Sequence, residues 1–343
     1  MSLLVLLKLV AIFAVVALGW VAARARWLGE GDPGRTLSTA AFYLFVPALL
    51  FRTTARLDMS AMPWSSLAAF FIPMMGGLLA VYTLQRRRRR AARRAAAASG
   101  GGAVGGETAQ HLLPAAPAVR AIGVSFGNTV QLGIPMAQAL FGEQGLAVHL
   151  AIVSLHALTI LTVVTLLVEV DLAREQARSS GVRPSLRATL LSTVRATVIH
   201  PVVLPVLAGL GWNLARLPLP GLVDETLLML GQAVVPLCLV IIGISLERHG
   251  VRGALKGASW LAAGKLLALP ALVLVAGRWA AGLHGVALAT IVMCAALPVG
   301  SNALLFAQRY QTLEGEVSAA TVLATFAFVL AAPLWLMVVG LVG

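Results

Sequence analysis

Apolar stretches recur along the whole chain, centred on about residues 3–23, 37–55, 62–84, 118–142, 145–170, 190–214, 222–246, 256–281, 285–308 and 317–341. Each comes close to the ~20 apolar residues that an α-helix needs to cross a hydrocarbon core of about 30 Å. The pattern predicts ten transmembrane helices, with polar residues held in the connections. One connection stands apart. Residues 85–117 open on Gln85, Arg86 to Arg90, Arg93 and Arg94 and then turn Ala/Gly-rich, a composition that builds no core and predicts a mobile linker.

The spans also repeat. Leu18-Gly19-Trp20-Val21-Ala22-Ala23-Arg24 returns as Leu210-Gly211-Trp212-Asn213-Leu214-Ala215-Arg216, Val46-Pro47 as Val235-Pro236, and Gly127 of the fourth span matches Pro298 of the ninth. The order is the same in both halves, and the spacing shrinks by roughly eighteen residues across the linker. Five spans per repeat is an odd number, so the halves would lie antiparallel in the membrane. The expected fold is an all-α integral membrane protein of two inverted five-helix repeats, residues 1–173 and 174–343.

Composition fits that reading. With 59% hydrophobic and 11% charged residues and a mean hydropathy of +0.91, no soluble domain can be given a polar exterior. A net charge of +13 raises nucleic acid as a partner, but the basic residues lie between apolar stretches instead of on a face with interleaved aromatics, so none is expected. Orientation explains the charge better. Alternate connections hold Arg24, Arg26, Arg35, the Arg86–Arg94 run, Arg174, Arg178, Arg183, Arg187, Arg248, Arg252, Lys256 and Arg309, whereas the others hold little beyond Arg52, Arg56, Arg216 and Arg278. Because cytoplasmic loops retain Lys and Arg, the first set is expected inside and both termini outside a cell (cytoplasmic) membrane. The arginine run reads either as a site for anionic lipid or as a plain topology determinant, and the plainer reading is preferred. Cys238 and Cys294 fall inside spans without metal-ligand spacing, so neither disulfide nor metal is expected. No G-x-x-x-x-G-K-[ST] occurs, and no cofactor is expected.

Chemistry belongs where a helix is weakened inside the membrane. Ser125-Phe126-Gly127-Asn128-Thr129-Val130-Gln131-Leu132-Gly133-Ile134-Pro135 in the fourth span and Ala296-Leu297-Pro298-Val299-Gly300-Ser301-Asn302 in the ninth each place Gly, Pro and Asn near the midplane. Broken helices free N–H groups and expose a positive dipole end, which suits a carboxylate. Gly127, Asn128, Pro298, Val299, Gly300 and Asn302 are therefore candidate substrate-binding residues. Pro47, Pro201, Pro205, Pro236, Pro270 and Pro333 read instead as ordinary kinks whose backbone neighbouring groups satisfy. Lys265 lies mid-span, where an ammonium costs about 2.5–3.5 kcal/mol unless it faces a cavity or partner. It is a candidate to attract the anion or to stand in for a coupling cation, the alternative being a donor to broken-helix carbonyls. His149, His156 and His200 read as packing histidines more readily than as proton relays, and Glu169 and Asp171 as solvated ends of the fifth span. Gly123-Val124-Ser125-Phe126-Gly127 fits G-x-S-x-G, which raises a remote alternative, an intramembrane serine hydrolase using Ser125. The nucleophile elbow needs a strand-to-helix turn that a helical span lacks, so no enzyme is expected.

These stretches resemble the auxin efflux carrier family of bacterial permeases and plant carriers. The resemblance rests on Leu18-Gly19-Trp20, Phe42 to Phe51, Gly127-Asn128 with Leu132 to Pro135 and Phe141-Gly142, Pro236-Leu237 with Gly243 to Leu246, Lys265 before Pro270, and Leu297-Pro298-Val299-Gly300 leading to Phe306-Ala307 and Tyr310. It implies ten helices in two inverted repeats, broken fourth and ninth helices crossing beside the substrate, and a transport unit moving against a scaffold of spans 1, 2, 6 and 7. Two departures stand out: Gly127 replaces the Pro that plant members place before the Asn, and His200-Pro201 replaces the usual Asn-Pro. The expected function is a secondary transporter moving a small organic anion, a carboxylate, by alternating access, with a sodium- or proton-coupled carrier of the same design as the alternative and a homodimer as an open possibility.

Overall fold

The structure, a computed structural model, describes residues 3–29, 31–56, 62–98, 110–179, 203–249 and 254–342. The expectations for His200, Pro201, Arg183, Arg187, Arg252 and the first part of the sixth span lie outside these residues. What is described is α-helical: α1 (Leu3–Arg24), α2 (Pro33–Ala55), α3 (Trp64–Ala98), α4 (Ala116–Ser125), α5 (Ile134–Ser179), α6 (Val203–Leu214), α7 (Gly221–His249), α8 (Leu255–Ala280), α9 (Gly285–Ala296), α10 (Ser301–Arg309) and α11 (Glu314–Val342). Gly142, at φ 60°, turns the chain sharply inside α5, a backbone conformation that glycine adopts without strain. Among the described residues six helices are long and apolar enough to cross a membrane, and three shorter apolar ones run Ala14–Arg24, Leu204–Leu214 and Gly285–Ala296.

Lipid is as apolar as a leucine side chain, so close backbone approach carries much of the packing between such helices. α1 lies along α7, where a methyl on Gly19 would strike the Val240 carbonyl and one on Gly243 the Val16 carbonyl. α2 lies along α6 in the same way, with Gly209 against Thr54 and the Phe51 carbonyl. The touching glycine is thus Gly209 and not Gly211 of the repeated Leu-Gly-Trp, around which nothing stands within 4 Å. A second group packs α3, α5, α8 and α11 around α9, with α4 against α3 and α5, and every residue from Ile291 to Gly300 is buried.

Prolines inside helices collide with the carbonyl four residues earlier. Ahead of Pro47 and Pro270 the chain widens into π turns, Ala41–Phe45 and Gly264–Ala268, which contain the two carbonyls concerned, those of Tyr43 and Leu266. The Leu266 carbonyl is taken up by Trp335 Nε1 of α11 at 2.7 Å. At this kink, as the sequence leads one to expect, a neighbouring helix satisfies the backbone.

Charged side chains gather at two ends of the bundle. At one, Arg24 pairs with Glu247 and Arg248 with Asp32, and Arg120 forks onto both oxygens of Glu316 at 2.8 Å while reaching Gln85 and His111. Burial pushes the Asp32 carboxyl upward, but the bonds from Arg248 and the Arg35 N–H outweigh it and hold the group below the ordinary carboxylate value. At the other end Arg52 and Arg56 converge on Asp224, and Arg278 donates to the Val342 carbonyl. The described members of the two arginine sets therefore sit at opposite ends. Two expectations need correcting here. Asp171 is not solvated: it is 4% exposed, accepts from the Tyr82 hydroxyl at 2.7 Å and pairs with Arg86 at 2.8 Å. Glu169 is half-buried and accepts from the Tyr310 hydroxyl at 3.1 Å. The cause for Asp171 is that α3 runs on to Ala98, into the stretch read as a linker, because alanine and arginine are strong helix formers and the arginines find carboxylates on α5.

Candidate functional site

The fourth and ninth spans are interrupted where Gly, Asn and Pro interrupt the apolar pattern. α4 stops at Ser125, Phe126 is extended (φ −80°, ψ 113°), and a π turn over Thr129–Gly133 leads into α5. α9 stops at Ala296, Leu297 and Gly300 are extended, and α10 starts at Ser301. The two extended pieces lie antiparallel with Gly127 opposite Val299. The Asn128 N–H donates to the Pro298 carbonyl at 2.9 Å, and the Gly300 N–H to the Phe126 carbonyl at 2.9 Å. Each break satisfies the other's backbone, which is the condition for irregular chain at membrane depth. Gly300 is required, because a Cβ there would stand 2.7 Å from the Gly127 carbonyl oxygen.

Three buried side chains brace the crossing. His156 Nε2 accepts from the Gly127 N–H at 3.1 Å, which fixes the proton of the neutral ring on Nδ1, an atom without a partner. His149 Nε2 lies 2.7 Å from the Thr129 carbonyl and must donate to it, so the two histidines hold one break through opposite roles. Lys265, 1% exposed, donates from Nζ to the Ala295 carbonyl at 2.5 Å. That carbonyl belongs to the last turn of α9, where the helix dipole is negative and the break removes the N–H that would otherwise donate to it.

A cavity lies beside the crossing, lined by Asn128, Thr129, Gly300, Ser301 and Asn302 of the breaks together with Thr53 of α2, His156 of α5 and Val234 of α7. It leaves about 80 Å³ for the centres of water-sized molecules, against about 10–15 Å³ for a single water, enough for a compact ligand. No side chain caps the helix that begins after Asn128 or the one that begins after Gly300. Two helix N-termini therefore direct partial positive charge into one space. Among the described residues no Asp, Glu, Lys or Arg lines it, and the Asn302 Oδ1 is buried with no partner among them.

Of the residues singled out in the sequence, Gly127, Asn128, Gly300 and Asn302 meet at the cavity. Pro298 and Val299 are buried within the crossing itself, and Lys265 stands behind it, close to Gly127, where a Cβ would lie 3.3 Å from Nζ. The Ser125 hydroxyl is buried with no partner, and His156 Nε2 is engaged by Gly127 instead. The sequence reading of His149 and His156 as hydrogen-bonded packing residues agrees with their buried bonds to Thr129 and Gly127, but it did not name those partners. It also missed the Arg120–Glu316 fork, whose only signal is that opposite charges open the fourth and tenth spans.

An all-helical membrane protein with two crossed, interrupted helices around a cavity is the build of a transporter. The family model for membrane transport proteins, that of the auxin efflux carriers, matches residues 113–336. The chain is a multi-pass membrane transport protein and belongs to the auxin efflux carrier family. A comparison with curated proteins found no match.

Proposed function

We propose that the protein is a secondary transporter, a permease, that moves a small organic anion, a carboxylate, across the cytoplasmic membrane by alternating access. The observation that carries this reading is the convergence of two helix N-termini, neither with a side-chain cap among the described residues, on one cavity whose described lining carries no Asp, Glu, Lys or Arg. Such dipoles attract a carboxylate without a lysine or arginine that would hold it too firmly to release. Asn128 and Asn302 offer amide donors at the same place, and Lys265 stands behind the crossing with Nζ donating to the Ala295 carbonyl. The underlying architecture in this proposal is ten spans in inverted repeats, 1–173 and 174–343. The packing supports it: exchanging the halves turns the α1–α7 pair into the α6–α2 pair, and both pairs touch through glycine.

Alternating access would then move the α3–α5 and α8–α11 group, with the crossing, against α1, α2, α6 and α7. The cavity takes part of its wall from each group, Thr53 and Val234 from one and Asn128 and Asn302 from the other, so relative movement changes which side can reach it. One observation favours a proton-coupled version: His156 lines the cavity with an unpartnered Nδ1. Uptake of labelled mono- and dicarboxylates into proteoliposomes, with and without imposed proton and sodium gradients, tests the proposal. Saturable carboxylate uptake is the expected result, and its absence for every anion under every gradient would overturn it.

A further inference from the structure

We infer that the cleft between the end of α3 and the end of α5 is a binding site for the phosphate of an anionic lipid headgroup. Helical spacing puts Arg86, Arg89, Arg90, Arg93 and Arg94 on one face of α3, opposite Asp171, Arg174 and Glu175 of α5, and these eight are the described residues that line the cleft. It leaves about 330 Å³ for the centres of water-sized molecules, ample for a phosphate and its ester oxygens.

The charges do not balance. Six guanidinium groups face two carboxylates, and both carboxylates are already used. Glu175 Oε2 takes Arg89 at 2.9 Å and Arg93 at 2.5 Å. Asp171 takes Arg86 on one oxygen and the Tyr82 hydroxyl on the other, with Arg174 at 3.7 Å. Arg90 and Arg94 remain exposed on the wall with no carboxylate partner among the described residues. The paired arginines form a fixed cradle, since Arg89 is itself buried and also donates to the Leu112 carbonyl at 2.8 Å. What the cradle lacks is an anion with several acceptor oxygens, which planar guanidinium forks recognise in pairs. A run of arginines that merely oriented the chain would need no paired carboxylates and no cleft.

Depth selects the source of the phosphate. α3 starts at Trp64, and Arg86 follows after about the ~20 residues that cross a hydrocarbon core, so the cleft opens at the level of lipid headgroups.

Full-length protein in an uncharged detergent would be titrated with dihexanoyl phosphatidate, dihexanoyl phosphatidylglycerol, dihexanoyl phosphatidylcholine and inorganic phosphate. The anionic lipids should bind and phosphatidylcholine should not. Arg90→Gln/Arg94→Gln, which breaks no described bond, should weaken that binding about tenfold or more. Arg87→Gln/Arg88→Gln removes the same charge from the other face and should leave binding unchanged. Equal loss in both double variants, or no binding of either anionic lipid, would overturn the site. Inorganic phosphate binding as tightly as the lipids, with the same dependence on Arg90 and Arg94, would keep the phosphate site and overturn the lipid as its occupant.

Discussion

Where α1 meets α7, Gly19 and Gly243 let two continuous helices touch backbone to backbone; where α4–α5 meets α9–α10, Gly300 lets two interrupted ones do so against the Gly127 carbonyl. The difference lies in where the N–H groups go. A continuous helix bonds its own backbone, so glycine there does nothing but shorten the distance between axes. At the crossing the two breaks exchange only two bonds, and the first N–H groups of each following helix are left facing the cavity. One glycine contact builds a rigid wall, and the other builds a place to bind.

The largest effect should come from filling the wall. Gly243→Ala puts a methyl into the Val16 carbonyl, and α1 and α7 must separate along their length to admit it. A loss of about 3 kcal/mol or more is expected, visible as poor yield of monodisperse protein and a lowered Tm in detergent. Gly211→Ala should do the reverse and cost nothing, since no atom lies within 4 Å and alanine favours the helix by up to about 1 kcal/mol. Equal behaviour of the two variants would remove the distinction between contact and repeat.

A smaller effect, aimed at the crossing, is expected from Lys265→Met. Methionine keeps most of the volume but leaves the Ala295 carbonyl without its donor, a charge-assisted bond of about 1.5–3 kcal/mol. Transport should fall sharply while insertion and Gly243-type packing survive. Unchanged uptake kinetics would reduce Lys265 to a residue of stability alone.

Both regions were visible in the sequence to different depths. The breaks were legible because Gly, Pro and Asn gather together in the fourth and ninth apolar runs, and the positions read from them, 125–135 and 296–302, are where the helices stop. Lys265 was legible as an interior residue by the cost of its charge. A broken-helix carbonyl was one of the two partners considered for it, but which carbonyl was not legible, for the bond to Ala295 depends on how α8 and α9 pack, and no spacing along the chain encodes that. The same holds for the pairing of Gly127 with Val299 and for the contact at Gly209: which glycine touches a neighbour is decided by rotation about each helix axis. Asp171 was misread for a related reason. It stands at the end of an apolar span between Glu169 and Arg174, and only the continuation of α3 brings Tyr82 and Arg86 over it.

The finest division within the crossing separates groups that touch a ligand from groups that hold the break. Asn128 and Asn302 both line the cavity, and Asn302 Oδ1 is buried without a partner, which leaves each amide able to turn toward an anion. Losing one amide contact to a charged ligand should cost about 1.5 kcal/mol, or about tenfold in Kd, for each of Asn128→Ala and Asn302→Ala. Gly133 is different, because a Cβ there would stand 2.5 Å from His149 Nε2 and 2.8 Å from Leu297. Gly133→Ala must displace the histidine that holds the Thr129 carbonyl, so it should lower Tm and slow transport while the Kd of whatever protein remains folded changes little. Equilibrium binding of the transported carboxylate to purified, monodisperse protein, set beside its thermal melting, separates the two classes. Wild-type affinity in both asparagine variants would put the ligand outside this cavity, and the two converging helix ends would then be a device for building the crossing and not for binding.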